Sequence, residues 1–218
     1  DDHVGQIKTD PKIAVIELIA NASDAGATEV SVQWPLEIGQ SMSIADNGTG
    51  MTKDEFITRW ETLCFDRRKT LGKEVLFPSD VNPKPQRSLF GKSGKGRHAA
   101  LCFADEYIVD TRKEGRQTVA KVVQLHSSDK PFSVSVIKDV QLGVNSHGTT
   151  VSANTTKGLL PENEIIEVIG SKFLIDPSFK ISVNGKVVAL TAIEGIKTEE
   201  VQLTDGRKIT IIVVDSEG

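Results

Sequence analysis

The chain has 218 residues, with 26 basic and 30 acidic side chains, a net charge of -4 and a pI near 5.6. That length can bury a sizeable core in one large domain or two small ones, and 38% hydrophobic with 5% aromatic residues excludes a disordered chain, while no apolar run reaches the roughly 18 residues of a membrane span. The mild acidity argues against non-specific nucleic-acid binding by this segment, and Cys64 and Cys102, far apart and without metal-ligand spacing, read as reduced thiols of a cytoplasmic or nuclear protein that is not secreted.

The opening Asp1-Asp2-His3 carries neither an initiator Met nor a signal-like run, and the final Val214 to Gly218 follows directly on a strand-like stretch. Both ends are expected to continue into a longer protein. A helix opens at Asp10-Pro11, where Asp caps and Pro suits the first helical position. It runs through Ile13, Val15, Ile16, Leu18 and Ile19 to about Ala25, and Gly26 stops it. Strand-like runs follow at Glu29 to Trp34 and Ser41 to Ala45. Then come the glycine-rich turn Asp46 to Gly50 and a second helix from Lys53 to Phe65.

Residues 66–92 break the pattern. Asp66-Arg67-Arg68-Lys69 is mostly basic, and Pro78, Pro83 and Pro85 prevent a regular element. A loop this long inside a compact domain is functional or mobile. Gly91, Gly94 and Gly96 lead into an apolar helical run, Ala99 to Ala104. Strands are expected at Glu106 to Thr111, Thr118 to Leu125, Phe132 to Ile137 and Thr149 to Ala153, and a helix over 161–173. Further strands are expected over 179–214, with hairpin turns at Asn184-Gly185 and Asp205-Gly206. Helices come early and strands late, which predicts a layered α+β domain.

Four features carry chemistry. Glu17, Asn21 and Asp24 are spaced i, i+4, i+7 and fall within about 60° of one another on one helix face. Such a stripe is either a solvated face or a site, because a carboxylate can take a proton from water and an amide oxygen can ligate a hard cation such as Mg2+. In Asp46-Asn47-Gly48-Thr49-Gly50-Met51, two glycines allow close approach to the main chain, Asp46 can accept from an exocyclic amine, and Met51 can pack on a flat ring. In Gly91-Lys92-Ser93-Gly94-Lys95-Gly96-Arg97, small residues before a helix offer backbone N–H groups to phosphates, with three cationic side chains added. Neither a P-loop nor a Rossmann fingerprint fits: Gln86 stands where the P-loop needs glycine, and no strand precedes the glycines. The fourth feature is Gly148-Thr149 opening a strand.

In this order the four features resemble the boxes of the GHKL, or Bergerat-fold, ATPases: gyrase, the heat-shock-ninety chaperones, histidine kinases, MutL and the MORC proteins. Glu17 to Ala25 is similar to the N-box in its chaperone-like form, Asp46 to Met51 to the first glycine box, Gly91 to Gly96 to the second, and Gly148-Thr149 to the last. The likeness covers roughly residues 10 to 155.

That resemblance implies a two-layer sandwich of helices on a mixed, mainly antiparallel sheet. It implies Mg-dependent ATP binding and hydrolysis to ADP and phosphate, slow in isolation. By the same resemblance Asp46 reads the adenine amino group, Asn21 holds Mg2+ against the phosphates, and Glu17 is the catalytic residue that orients or deprotonates water. Asp24, Gly48, Gly50, Met51, Gly91, Lys92, Ser93, Gly94, Lys95, Gly96, Arg97 and Thr149 complete the expected ATP site. Residues 1–158 are expected to form the ATP-binding domain with a lid at about 66–92, and residues 159–218 to begin a transducer-like region. Lid closure and ATP-dependent homodimerisation would drive other domains of the same chain, with protein or nucleic-acid clients engaged elsewhere and no membrane. A non-hydrolysing ATP switch is the second reading. A histidine-kinase domain is a weaker third, because no phosphoacceptor helix is recognisable. His98 reads as a packing residue rather than a catalyst.

Overall fold

The computed structural model describes residues 10–61, 74–90, 95–125, 131–173, 176–189, 197–202 and 208–213. The first helix, α1, spans Pro11–Asp24; the Asp10 carboxylate accepts from the Lys12 N–H at 2.8 Å and caps it as expected. Val15, Leu18 and Ile19 are buried along one side of it, each contributing about 1.5–3 kcal/mol by leaving water. At its end Gly26 has φ +74°, and a β-carbon there would overlap the Leu76 carbonyl. Glycine therefore both stops the helix and lets the loop 74–90 cross its C-terminus.

The strands are β1 (Glu29–Gln33), β2 (Ser41–Asp46), β3 (Glu106–Lys113), β4 (Arg116–Gln124), β5 (Phe132–Gln141), β6 (Gly148–Asn154), β7 (Lys180–Val183) and β8 (Lys186–Val187). They form one eight-stranded sheet in the order β5-β4-β3-β6-β2-β1-β7-β8. Every pairing is antiparallel except β1 with β7. Val30 and Val32 on β1, Met42 and Ile44 on β2, and Tyr107 and Val109 on β3 alternate inward, as the two-residue period requires. Helix α2 (Lys53–Glu61), a 3-10 helix (Lys95–Cys102), and α3 (Glu162–Phe173) join α1 in sealing the core. The α+β class and the mixed, mainly antiparallel sheet are those expected.

One local detail differs. The apolar run after the glycines winds as a 3-10 helix over Lys95–Cys102. Gly96 with Ala99, and Arg97 with Ala100, put a small residue in two of the eclipsed i, i+3 pairs, which eases that tighter winding. The parallel β1–β7 pairing attaches α3, β7 and β8 to the same two layers. The Asn184-Gly185 turn has positive φ at both residues, +48° and +79°, the two-residue hairpin geometry its sequence announces. A separate two-stranded sheet pairs β9 (Lys197–Gln202) with β10 (Lys208–Val213). The expected Asp205-Gly206 turn lies outside the described residues.

Candidate functional site

The carboxylate of Asp46 ends β2 and faces the start of β6. Its Oδ1 accepts from the Gly48 N–H at 2.8 Å and the Thr149 N–H at 3.3 Å. Its Oδ2 accepts no hydrogen bond among the described residues and remains for an incoming donor. Burial pushes this carboxyl up to about 7, against the opposing pull of the two N–H bonds and of His147. Glycines surround it because nothing larger fits. A β-carbon on Gly48 would lie 2.7 Å from the Ala25 carbonyl oxygen and 2.9 Å from Asp46 Oδ1. Gly50 (φ +63°) lies against the Arg112 carbonyl and Gly148 (φ +118°) against the Asp46 carbonyl. The Thr49 N–H donates to the Ala25 carbonyl at 2.8 Å, seating this box on the end of α1.

Glu17 and Asn21 stand two turns and one turn back along α1, so Glu17 is roughly 12 Å from Ala25 along the axis. Asn21 donates from Nδ2 to the Gly96 carbonyl at 3.4 Å, which leaves its amide oxygen for a cation. A β-carbon on Gly96 would overlap the Glu17 carboxylate. The helix face thus meets the second glycine cluster at Glu17, Asn21 and Gly96. Asp24 is buried, and its Oδ1 accepts from the Phe90 N–H at 2.7 Å. Arg97 is buried within the 3-10 helix, and Met51 lies in the core with its N–H donating to Thr111 Oγ1 at 2.9 Å. Gly91, Lys92, Ser93, Gly94 and the Lys95 side chain lie outside the described residues.

Three contributors were not among the site residues expected from the sequence. Thr111 accepts from Met51, lies 3.2 Å from Thr149 Oγ1, and is 1% exposed. A buried threonine in a strand was its only signal. Asn47 accepts from the Thr28 and Glu29 N–H groups at 2.9 Å each, tying the box to β1. His147 lies 2.8 Å from the Gly48 carbonyl through Nδ1 and 3.2 Å from Asp80 through Nε2. Desolvation lowers the His147 pKa, but the bonds to Asp80 and Gly48 outweigh it and hold the imidazole above its ordinary value. His98, by contrast, packs 3.9 Å from the Phe132 ring, and burial pulls its pKa down to about 3, with Arg97 adding to the fall. Its Nδ1 lies 2.9 Å from the Tyr107 hydroxyl, which the Trp60 indole N–H also reaches at 2.9 Å. This is a neutral core network, as its packing reading anticipated.

A carboxylate among glycines at one end of a helix, and a carboxylate and amide against another glycine at the preceding turns, thus lie along one helix of a two-layer sandwich of helices on a mixed, mainly antiparallel sheet. The profile of the histidine kinase-, DNA gyrase B- and HSP90-like ATPase family matches residues 9–149. The chain belongs to that family. It is similar to the chaperone protein HtpG of Pasteurella multocida, at 27% identity over 77% of this chain and 28% of the relative. It is also similar to HtpG of Gluconobacter oxydans, at 28% identity over 51% of this chain and 20% of the relative. HtpG of Cupriavidus necator is 24% identical over 71% of this chain and 26% of the relative. The chain thus spans about a quarter of the length of these relatives. Among the described residues no helix is long and apolar enough to cross a membrane.

Proposed function

We propose that this chain is the ATPase module of a larger protein, binding ATP with Mg2+ and hydrolysing it to ADP and phosphate. The observation that carries the reading is Asp46, a partly buried carboxylate whose Oδ1 takes two backbone N–H groups while Oδ2 stays open to an exocyclic amine. Gly48, Gly50 and Gly148 clear the surrounding space, and Thr149 fixes the carboxylate from the facing strand. Asn21 supplies an amide oxygen for the cation. Among the described residues no three acidic, histidine or cysteine side chains group to hold an ion, so most of its ligands would be phosphate and water oxygens. Bound there, Mg2+ would neutralise charge on the phosphates. Glu17 orients the attacking water and accepts its proton; phosphoryl transfer needs positioning and charge neutralisation more than covalent chemistry. Gly96, lacking a side chain, lets that carboxylate lie against the phosphate loop, and Lys92, Ser93, Lys95 and Arg97 belong to the same proposed site.

Lid closure by about 66–92, ATP-dependent dimerisation and a transducer role for 159–218 complete the proposal. Light scattering with and without a non-hydrolysable analogue tests the dimer. Phosphate release tests the chemistry. Glu17→Ala is expected to cut turnover by about 100-fold or more, the scale of general-base catalysis, with analogue affinity within about threefold. Surviving turnover would remove Glu17 from its role. Tight binding without phosphate release by the longer protein would make this a nucleotide switch.

A further inference from the structure

His147 bridges two segments that lie far from it in sequence. Its Nδ1 is 2.8 Å from the Gly48 carbonyl oxygen, 99 residues away, and its Nε2 is 3.2 Å from Asp80, 67 residues away. Both partners only accept. A neutral imidazole has one N–H to give and can serve one of them; the imidazolium has two and serves both. The loop 74–90, which carries Asp80, is fixed by other means. Val75, Phe77 and Leu89 form a small core of its own. The Arg87 side chain, 6% exposed, donates from Nε to Asp176 at 2.7 Å, from Nη1 to the Ala27 carbonyl at 2.6 Å and from Nη2 to the Ser178 hydroxyl at 3.0 Å. Asp80 therefore reaches His147 from an anchored segment.

On the other side of the imidazole stands the first glycine box. The Gly48 carbonyl faces Nδ1 while the Gly48 N–H donates to Asp46 Oδ1 at 2.8 Å. The residue after His147 is Gly148, which lies against the Asp46 carbonyl where no β-carbon fits. The next, Thr149, donates its N–H to the same Oδ1 at 3.3 Å. We infer that His147 is a positioning residue for the base-reading end of the site: the protonated imidazole ties Gly48, and through Gly48 the Asp46 carboxylate, to Asp80 in the loop 74–90. Among the described residues, the titratable groups that bear on the imidazole are Asp80 from the loop and Asp46 from the end of β2; the Asn47 and Gly48 carbonyls face it from the glycine box. Its positive charge also favours the ionised form of Asp46, the acceptor that an exocyclic amine needs. This inference rests on the nucleotide reading above.

The test is adenosine affinity, measured by NMR titration of the 218-residue chain at pH 6.5 and pH 8.5. His147→Ala is expected to weaken adenosine by about fivefold at the lower pH, the scale of one hydrogen bond, and by less than about twofold at the higher. Asp80→Ala, at an exposed side chain, is expected to weaken it by about twofold or more at pH 6.5 only, and to add nothing in the His147→Ala background, because the two side chains act as one unit. If His147→Ala does not fold, Asp80→Ala decides the matter by its own pH dependence. A loss that is equal at both pH values, no loss, or additive losses in the double variant overturns the positioning role and leaves the adenine site standing. A parent chain that binds no adenosine overturns both.

Discussion

Gly96 lies so close to Glu17 that no β-carbon fits between the 3-10 helix backbone and the Glu17 carboxylate. The catalytic candidate and Gly96 are thus packed together, although they are 79 positions apart in the sequence. Gly96→Ala should displace the carboxylate. Turnover is expected to fall by about 10-fold or more, since a 1 Å misplacement can cost a hundredfold, with adenosine affinity unchanged. Steady-state phosphate release beside a binding titration checks it.

The raised pKa of Asp46 gives a stability prediction with a definite sign. Between about pH 4, where the unfolded carboxyl ionises, and about pH 7, where the folded one does, the unfolded state has lost a proton that the folded state keeps. Stability in the absence of ligand therefore falls as pH rises through that window and levels off above it. Asp46→Asn removes the ionisation while keeping an oxygen for Gly48 and Thr149. The variant is expected to be more stable than the parent by about 1–2 kcal/mol at pH 8 and close to it at pH 4. Thermal melts at the two pH values read the difference.

His147 acts in the same direction, at higher pH. Its folded pKa is raised by Asp80 and the Gly48 carbonyl, so its contribution is complete below the ordinary imidazole value and is lost as pH rises through the folded value. His147→Ala should therefore lower the melting temperature more at pH 6 than at pH 8.5. A loss that is the same at both pH values would mean the imidazole acts through packing alone.

Thr111→Val leaves the Met51 N–H without its buried acceptor. A loss of about 1–3 kcal/mol is expected. Because Thr111 also neighbours Thr149, adenosine affinity should drop with it. Chemical denaturation and the same binding titration measure both.

How much of this could be read from the sequence depends on how far each cause reaches along the chain. Asp10-Pro11, Gly26 and Asn184-Gly185 act over a few residues, and helix, stop and turn appear where they announce them. The alternation in β3 and β4 is likewise local. The box residues were legible as a pattern, and the fold brings Glu17, Asn21 and Gly96 together at one end and Asp46, Gly48 and Thr149 at the other. Thr111, His147 and Arg87 were not, because their partners are set by sheet register and loop packing at separations of 60, 99 and 91 residues. The parallel β1–β7 pairing is of the same kind: nothing near Lys180 states that it will lie beside Glu29. Asp24 shares the helical stripe with Glu17, yet its carboxylate holds the loop backbone at Phe90, which spacing alone does not distinguish from ligand contact.

The most direct measurement is a calorimetric titration of the chain and of Asp46→Asn with a non-hydrolysable ATP analogue and Mg2+. The account predicts saturable, one-to-one binding by the parent and none by a variant that is folded and at least as stable. Equal binding by both proteins would contradict the assignment of Asp46, and with it the nucleotide site proposed here.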